Sequence, residues 1–128
     1  MTIRIVRLGS KRVANEGLRI GTVRRPPRGV PKSKFSSGNW YDVWFPNLAP
    51  SPALVKLALA ADDQRKWDRF VQGYRSEMAS PETSRVLDVL AALSQTANFS
   101  VGCYCEDESR CHRSVLRKLL LSRGAKVE

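Results

Sequence analysis

Phe99-Ser-Val-Gly-Cys-Tyr-Cys105, running into Glu106-Asp-Glu-Ser-Arg-Cys-His-Arg-Ser-Val-Leu-Arg-Lys-Leu-Leu-Leu-Ser-Arg-Gly124, decides the fold. Its first part alternates Phe99, Val101, Cys103 and Cys105 with Ser100, Gly102 and Tyr104, the two-residue period of a strand. Its second part places Val115, Leu116, Leu119 and Leu120 at three- and four-residue spacing. That predicts a helix from about Arg110 to Arg123, with Gly124 as its stop. A strand passing through a short acidic turn into a helix is the repeating unit of an α/β fold.

The pattern extends outward from there. Upstream, Ser80-Pro81-Glu82 opens a helix that turns Val86, Leu87, Leu90 and Leu93 inward and gives way near Asn98. Before it, Asp62 or Asp63 caps a helix whose Trp67, Phe70, Val71, Tyr74 and Met78 form one apolar stripe. A shorter helix is capped by Ser51, with Pro52 at its first position. Ile3 to Arg7 and Leu18 to Arg24 alternate apolar and polar residues, and Trp40 to Phe45 is aromatic and β-favouring. Trp40, Tyr41 and Trp44 read as core. Strands interleaved with helices predict a small, mostly parallel sheet flanked by helices, a three-layer Rossmann-like arrangement with ligands beyond the strand carboxyl ends.

With 128 residues the chain fits one ordinary domain, 1–128, able to bury a core without metal or disulfide staples. Three cysteines, an odd number, read as reduced thiols, which makes the cytoplasm the expected compartment. No apolar run reaches the length of a membrane span, so no membrane partner is expected. The net charge of +10 is concentrated: residues 1–39 hold ten Lys or Arg against the single acid Glu16. Half of these cations, Arg24, Arg25, Arg28, Lys32 and Lys34, lie in or beside a long loop, at about 25–39, whose three prolines and two glycines deny it regular hydrogen bonding. Such a field favours phosphate-bearing partners, a small molecule or nucleic acid, although a solvated basic face satisfies the same charge. Asp42 can serve as a partner for a loop arginine.

Cys111-His112-Arg113 after a strand and an acidic turn resembles the carboxyl-terminal signature of the domain-of-unknown-function 488 family. Pro27-Arg28-Gly29-Val30, Asn47-Leu48-Ala49-Pro50-Ser51 and the helix carrying Trp67, Phe70, Tyr74-Arg75 and Glu77 resemble its YeaO-like branch, so the resemblance covers nearly the whole chain. One departure is the stretch Arg24-Arg25-Pro26-Pro27-Arg28-Gly29, which lacks an acid and an aromatic that the branch carries there. The resemblance implies an α/β fold and lends no established substrate.

Three chemistries are open at the Cys103–Arg113 junction. The helix start with Arg110, His112 and Arg113, joined by Arg25 and Arg28 from the basic loop, can hold a phosphate. The alternative for Arg113 is a surface salt bridge to Glu106 or Glu108. Cys111 can instead be a nucleophile or redox centre. His112 is then a poor base, because neighbouring helical residues point about 100° apart. The Cys111-to-Arg117 spacing matches a phosphatase loop but falls inside the predicted helix, where no such loop forms. Finally, Cys103, Cys105, Cys111 and His112 are zinc-ligand types at a spacing unlike common zinc fingers, while buried free cysteine is a frequent core residue. The expectation is a phosphate-bearing ligand, with no cofactor.

Overall fold

The computed structural model describes all 128 residues. Four strands, β1 (Ile3–Arg7), β2 (Leu18–Gly21), β3 (Val43–Trp44) and β4 (Phe99–Cys103), form one sheet in the order β1-β4-β2-β3. Every pairing is parallel, with Ile3 opposite Phe99, Ile20 opposite Val101, and Ile20 opposite Val43. The helices are α1 (Pro52–Ala60), α2 (Gln64–Met78), α3 (Pro81–Leu93) and α4 (His112–Ser122). The α/β class and the parallel sheet therefore stand as the periodicity predicts.

Helix starts follow the capping chemistry. Ser51, Asp63 and Ser80 each accept a hydrogen bond from a first-turn backbone N–H, and Pro52 and Pro81 take the first helical positions. Gly124 follows α4 with φ +81°, a left-handed conformation that glycine adopts without steric cost.

The main core lies between the sheet and the helices. Phe99 and Val101 of β4 meet Trp67, Phe70, Tyr74 and Met78 of α2, Leu87 and Leu90 of α3, and Val115, Leu116 and Leu120 of α4. Ser100, on the opposite face of β4, is equally buried but polar. Its hydroxyl donates to Glu16, and Glu16 accepts two hydrogen bonds from the guanidinium of Arg19, at 2.7 and 2.9 Å. Arg19 also donates to the carbonyls of Ser10 and Asn39. The third layer over this face is thus built from the β1–β2 connection and the segment before β3, pinned by one buried ion pair.

Four expectations need correction. Residues 40–45 give only a two-residue edge strand, because β3 pairs with β2 alone; Tyr41 is buried, but Trp44 is exposed and anchors its indole N–H on the Val23 carbonyl. β2 ends at Gly21 and β4 at Cys103, where the chain turns away from the sheet. Leu93 is exposed at the last turn of α3, and Ala91 is buried instead. Helix α4 starts at His112, with Cys111 as an extended N-cap residue at φ −132° and ψ 154°.

Candidate functional site

The carboxyl ends of β1, β2 and β4 open on two adjoining features, a basic cleft and a cluster of thiols. The cleft, about 620 Å³ in volume, is bounded by the turn after β1 (Arg7 to Ser10), the loop after β2 (Arg25 to Arg28), Trp40, and Tyr104 just past β4. Trp40 and Tyr104 meet edge to face at 6.0 Å. The phenol of Tyr104 donates to the Arg25 carbonyl at 2.8 Å, and Arg7 donates to the Tyr104 carbonyl, so all three walls are tied to one tyrosine. Arg24 holds the loop base by donating to the carbonyls of Ala49 and Pro50, which ties the basic loop to the Asn47–Ser51 segment. Arg7, Arg25 and Arg28 bring three cations to this cleft, and its lining includes no carboxylate.

Behind Tyr104 lies a small apolar cluster of Leu8, Val23, Tyr41, Cys103 and Cys111. All three cysteines are free, with Cys103 and Cys111 buried and Cys105 exposed. The Cys103 and Cys105 sulfurs are 3.8 Å apart. Donation of the Cys103 S–H holds the Cys105 thiol down to about 3; the neighbouring Cys111 and the positive charge of Arg113 act the same way. Cys103 is pushed well up, by its hydrogen bonds to Cys105 and Cys111 and then by burial. Cys111 is held below its ordinary value, first by its hydrogen bond with Cys103 and further by His112.

Since Cys111 is an extended N-cap residue and not a helical one, its sulfur sits 3.7 Å from Nδ1 of His112. This overturns the expectation that the two side chains diverge. On its other side His112 places Nε2 3.1 Å from the Thr22 hydroxyl, which lies 3.0 Å from the Gly102 carbonyl. Tyr74 packs edge to face on the imidazole at 5.4 Å and donates its phenol to the Leu48 carbonyl.

The residues picked out from sequence divide among three places. Arg25 and Arg28 line the cleft. Arg113 is 3% exposed, donates to the Cys105 carbonyl at 2.6 Å and leaves its Nε without a partner. Arg110 lies over the Trp67 ring, 5.5 Å from its centroid. The acids expected as partners of Arg113 are taken up elsewhere: Glu106 pairs with Arg7, and Glu108 with Arg117. That second pair also removes Arg117 from any phosphatase-like loop. Asp42 partners Arg12 at 2.9 and 3.0 Å, outside the 25–39 loop, and Ser36 binds the same carboxylate.

A family model described as the active DUF488-N3 subclade matches residues 3–124. The chain belongs to the domain-of-unknown-function 488 family. No curated protein and no solved structure matches it. In this DUF488 chain the Cys111-His112-Arg113 signature has a distinct job for each member: a buried sulfur, an oriented imidazole and a buried cation.

Sequence reasoning missed Thr22, Arg7 and the Leu8–Ser10 turn. The turn had a usable signal, since it follows a parallel strand directly, where such folds place ligands. Thr22 had none, because its pairing with His112 spans the chain.

Proposed function

We propose that this protein binds a phosphate-bearing ligand, a nucleotide before a nucleic acid, in the cleft beyond β1, β2 and β4. The observation that carries this reading is the convergence of Arg7, Arg25 and Arg28 on one concave, aromatic-walled space whose lining includes no carboxylate. A planar guanidinium presents a fork of donors that fits phosphate oxygens, and Trp40 and Tyr104 offer apolar surface for a base. A cleft of about 620 Å³ falls in the range of small-ligand sites and accommodates a single nucleotide better than a strand. The test is calorimetric titration and thermal shift with nucleoside mono-, di- and triphosphates, inorganic phosphate and a short single-stranded oligonucleotide. A nucleotide should stabilise the parent, and Arg25→Ala and Arg28→Ala should each weaken it by about tenfold or more. Indifference of the parent to every phosphate compound, or equal binding by the variants, overturns the reading.

A second reading, cysteine-dependent chemistry, rests on the 3.7 Å approach of Cys111 to His112. Cys111 is buried, so the thiol that meets a reactant directly is Cys105. Loss of an activity on alkylation, with folding intact, would favour that reading over simple ligand binding.

A further inference from the structure

Where β4 gives way to α4, the side chains of Cys103, the N-cap Cys111 and the first helical residue His112 form one close group, and Cys105 adjoins it through its contact with Cys103. Metal–sulfur bonds of about 2.3 Å and metal–nitrogen bonds of about 2.0–2.1 Å in a tetrahedron imply sulfurs about 3.8 Å apart. They put sulfur and nitrogen about 3.6 Å apart. The Cys103 and Cys105 sulfurs are 3.8 Å apart, and Cys111 Sγ and His112 Nδ1 are 3.7 Å apart. Cys103, Cys111 and His112 bring one ligand atom each to within 4.8 Å of one another.

Two further features point to an ion. With the Thr22 hydroxyl proton donated to Gly102, its oxygen is free to accept from His112 Nε2–H, which leaves Nδ1, the nitrogen beside Cys111, as the ring atom available to a metal. An outer hydrogen bond that fixes tautomer and ring angle is the usual companion of a metal-binding histidine. Arg113, nearly fully buried beside Cys105, has no carboxylate within ion-pair distance and one unpartnered N–H. A buried cation needs a counter-charge. Three thiolates and one divalent ion carry a single net negative charge, which Arg113 offsets.

We propose that Cys103, Cys105, Cys111 and His112 bind a thiophilic divalent cation, zinc(II) foremost, in a tetrahedral site whose exposed ligand is Cys105. Each thiol still protonated releases its proton to solvent as its sulfur–metal bond forms, and no electron is transferred. The unfamiliar spacing is no obstacle, because the extended N-cap residue Cys111 has its sulfur within 4.8 Å of the Cys103 and His112 ligand atoms. None of the four lines the cleft, so this site stands or falls independently of the phosphate reading.

The experiment is titration of the chelator-stripped, reduced full-length chain with cobalt(II), then zinc(II), following the visible bands of tetrahedral cobalt thiolate. One equivalent per chain should bind and be displaced by zinc. Cys111→Ser and His112→Ala should weaken binding by more than about 100-fold, and Cys105→Ser by less. Thr22→Val, which keeps the shape of the buried side chain, should weaken it by about 10–100-fold with an unchanged circular dichroism spectrum. Should a ligand variant misfold, X-ray absorption of the zinc-loaded parent decides, with three sulfurs and one nitrogen expected around the metal. Absence of tetrahedral bands in the parent, bands that survive Cys111→Ser and His112→Ala, or an all-oxygen-and-nitrogen shell overturns the proposal.

Discussion

His112 Nε2 stands 3.1 Å from the hydroxyl of Thr22, a residue ninety positions earlier in the chain. Thr22 is fully buried just past β2 and His112 opens α4, so the contact ties the two ends of the fold at the candidate site. The Thr22 hydroxyl also reaches the Gly102 carbonyl, which leaves its oxygen free to accept from an Nε2–H. Nitrogen-15 NMR of the imidazole in metal-free protein is expected to report the Nε2–H tautomer. In Thr22→Val that preference should weaken, because Nε2 loses its acceptor. An Nδ1–H tautomer in the parent would contradict the arrangement.

The buried Glu16–Arg19 pair contributes to the acid limb of stability. Burial raises the Glu16 carboxyl, but hydrogen bonds from Arg19 and Ser100 and the Arg19 charge outweigh it and leave the group below its ordinary 4.5. A carboxyl depressed on folding contributes stability above its unfolded value and loses it as pH falls through the folded one. Urea unfolding should therefore show a stability that declines from about pH 4.5 downward. Glu16→Ala leaves Arg19 buried without its partner and should cost about 3–5 kcal/mol at neutral pH. A variant as stable as the parent would show that Arg19 is satisfied by the Ser10 and Asn39 carbonyls alone.

Arg25 and Arg28 are exposed, so their hold on a phosphate is screened by salt over roughly 8 Å at 0.15 M ionic strength. Nucleotide affinity should fall as sodium chloride rises from 50 to 500 mM, and the fall should be shallower in Arg28→Ala, which has one charge fewer to screen. Calorimetry at several salt concentrations measures both slopes. Salt-independent binding would point to the aromatic walls as the source of affinity.

The fold was largely legible because its signals are local. Ser51, Asp63 and Ser80 mark helix starts, the Trp67-to-Met78 stripe has a helical period, and Phe99 to Cys103 alternates. The site was legible only in composition. The fate of each residue depends on contacts distant in sequence: Arg113 on the Cys105 carbonyl, Arg110 on Trp67, and Glu108 on Arg117 rather than Arg113. A single backbone conformation, the extended Cys111, reverses the expected divergence of Cys111 and His112. Periodicity cannot reveal that, since it places Cys111 one residue inside a helix that starts one residue later.

Cys105 offers the sharpest contrast with its neighbours. It is the exposed thiol of the three, and the S–H of Cys103, reinforced by Cys111 and the Arg113 charge, holds it down to about 3. Nucleophilic attack requires the thiolate, and a thiol depressed in this way is expected to keep that form at a pH where an ordinary cysteine is protonated. In chelator-treated, reduced protein, iodoacetamide should modify Cys105 at pH 5 nearly as fast as at pH 8, while an unfolded control slows by about 100-fold or more. Cys103 and Cys111, being buried, should react only on unfolding. Peptide mapping by mass spectrometry assigns the modified residue. Zinc added beforehand should suppress the reaction, as the sulfur lone pair is then committed to the metal. Alkylation of Cys105 that slows tenfold for each unit of falling pH would show that its proton is not shared in the way the 3.8 Å contact with Cys103 implies.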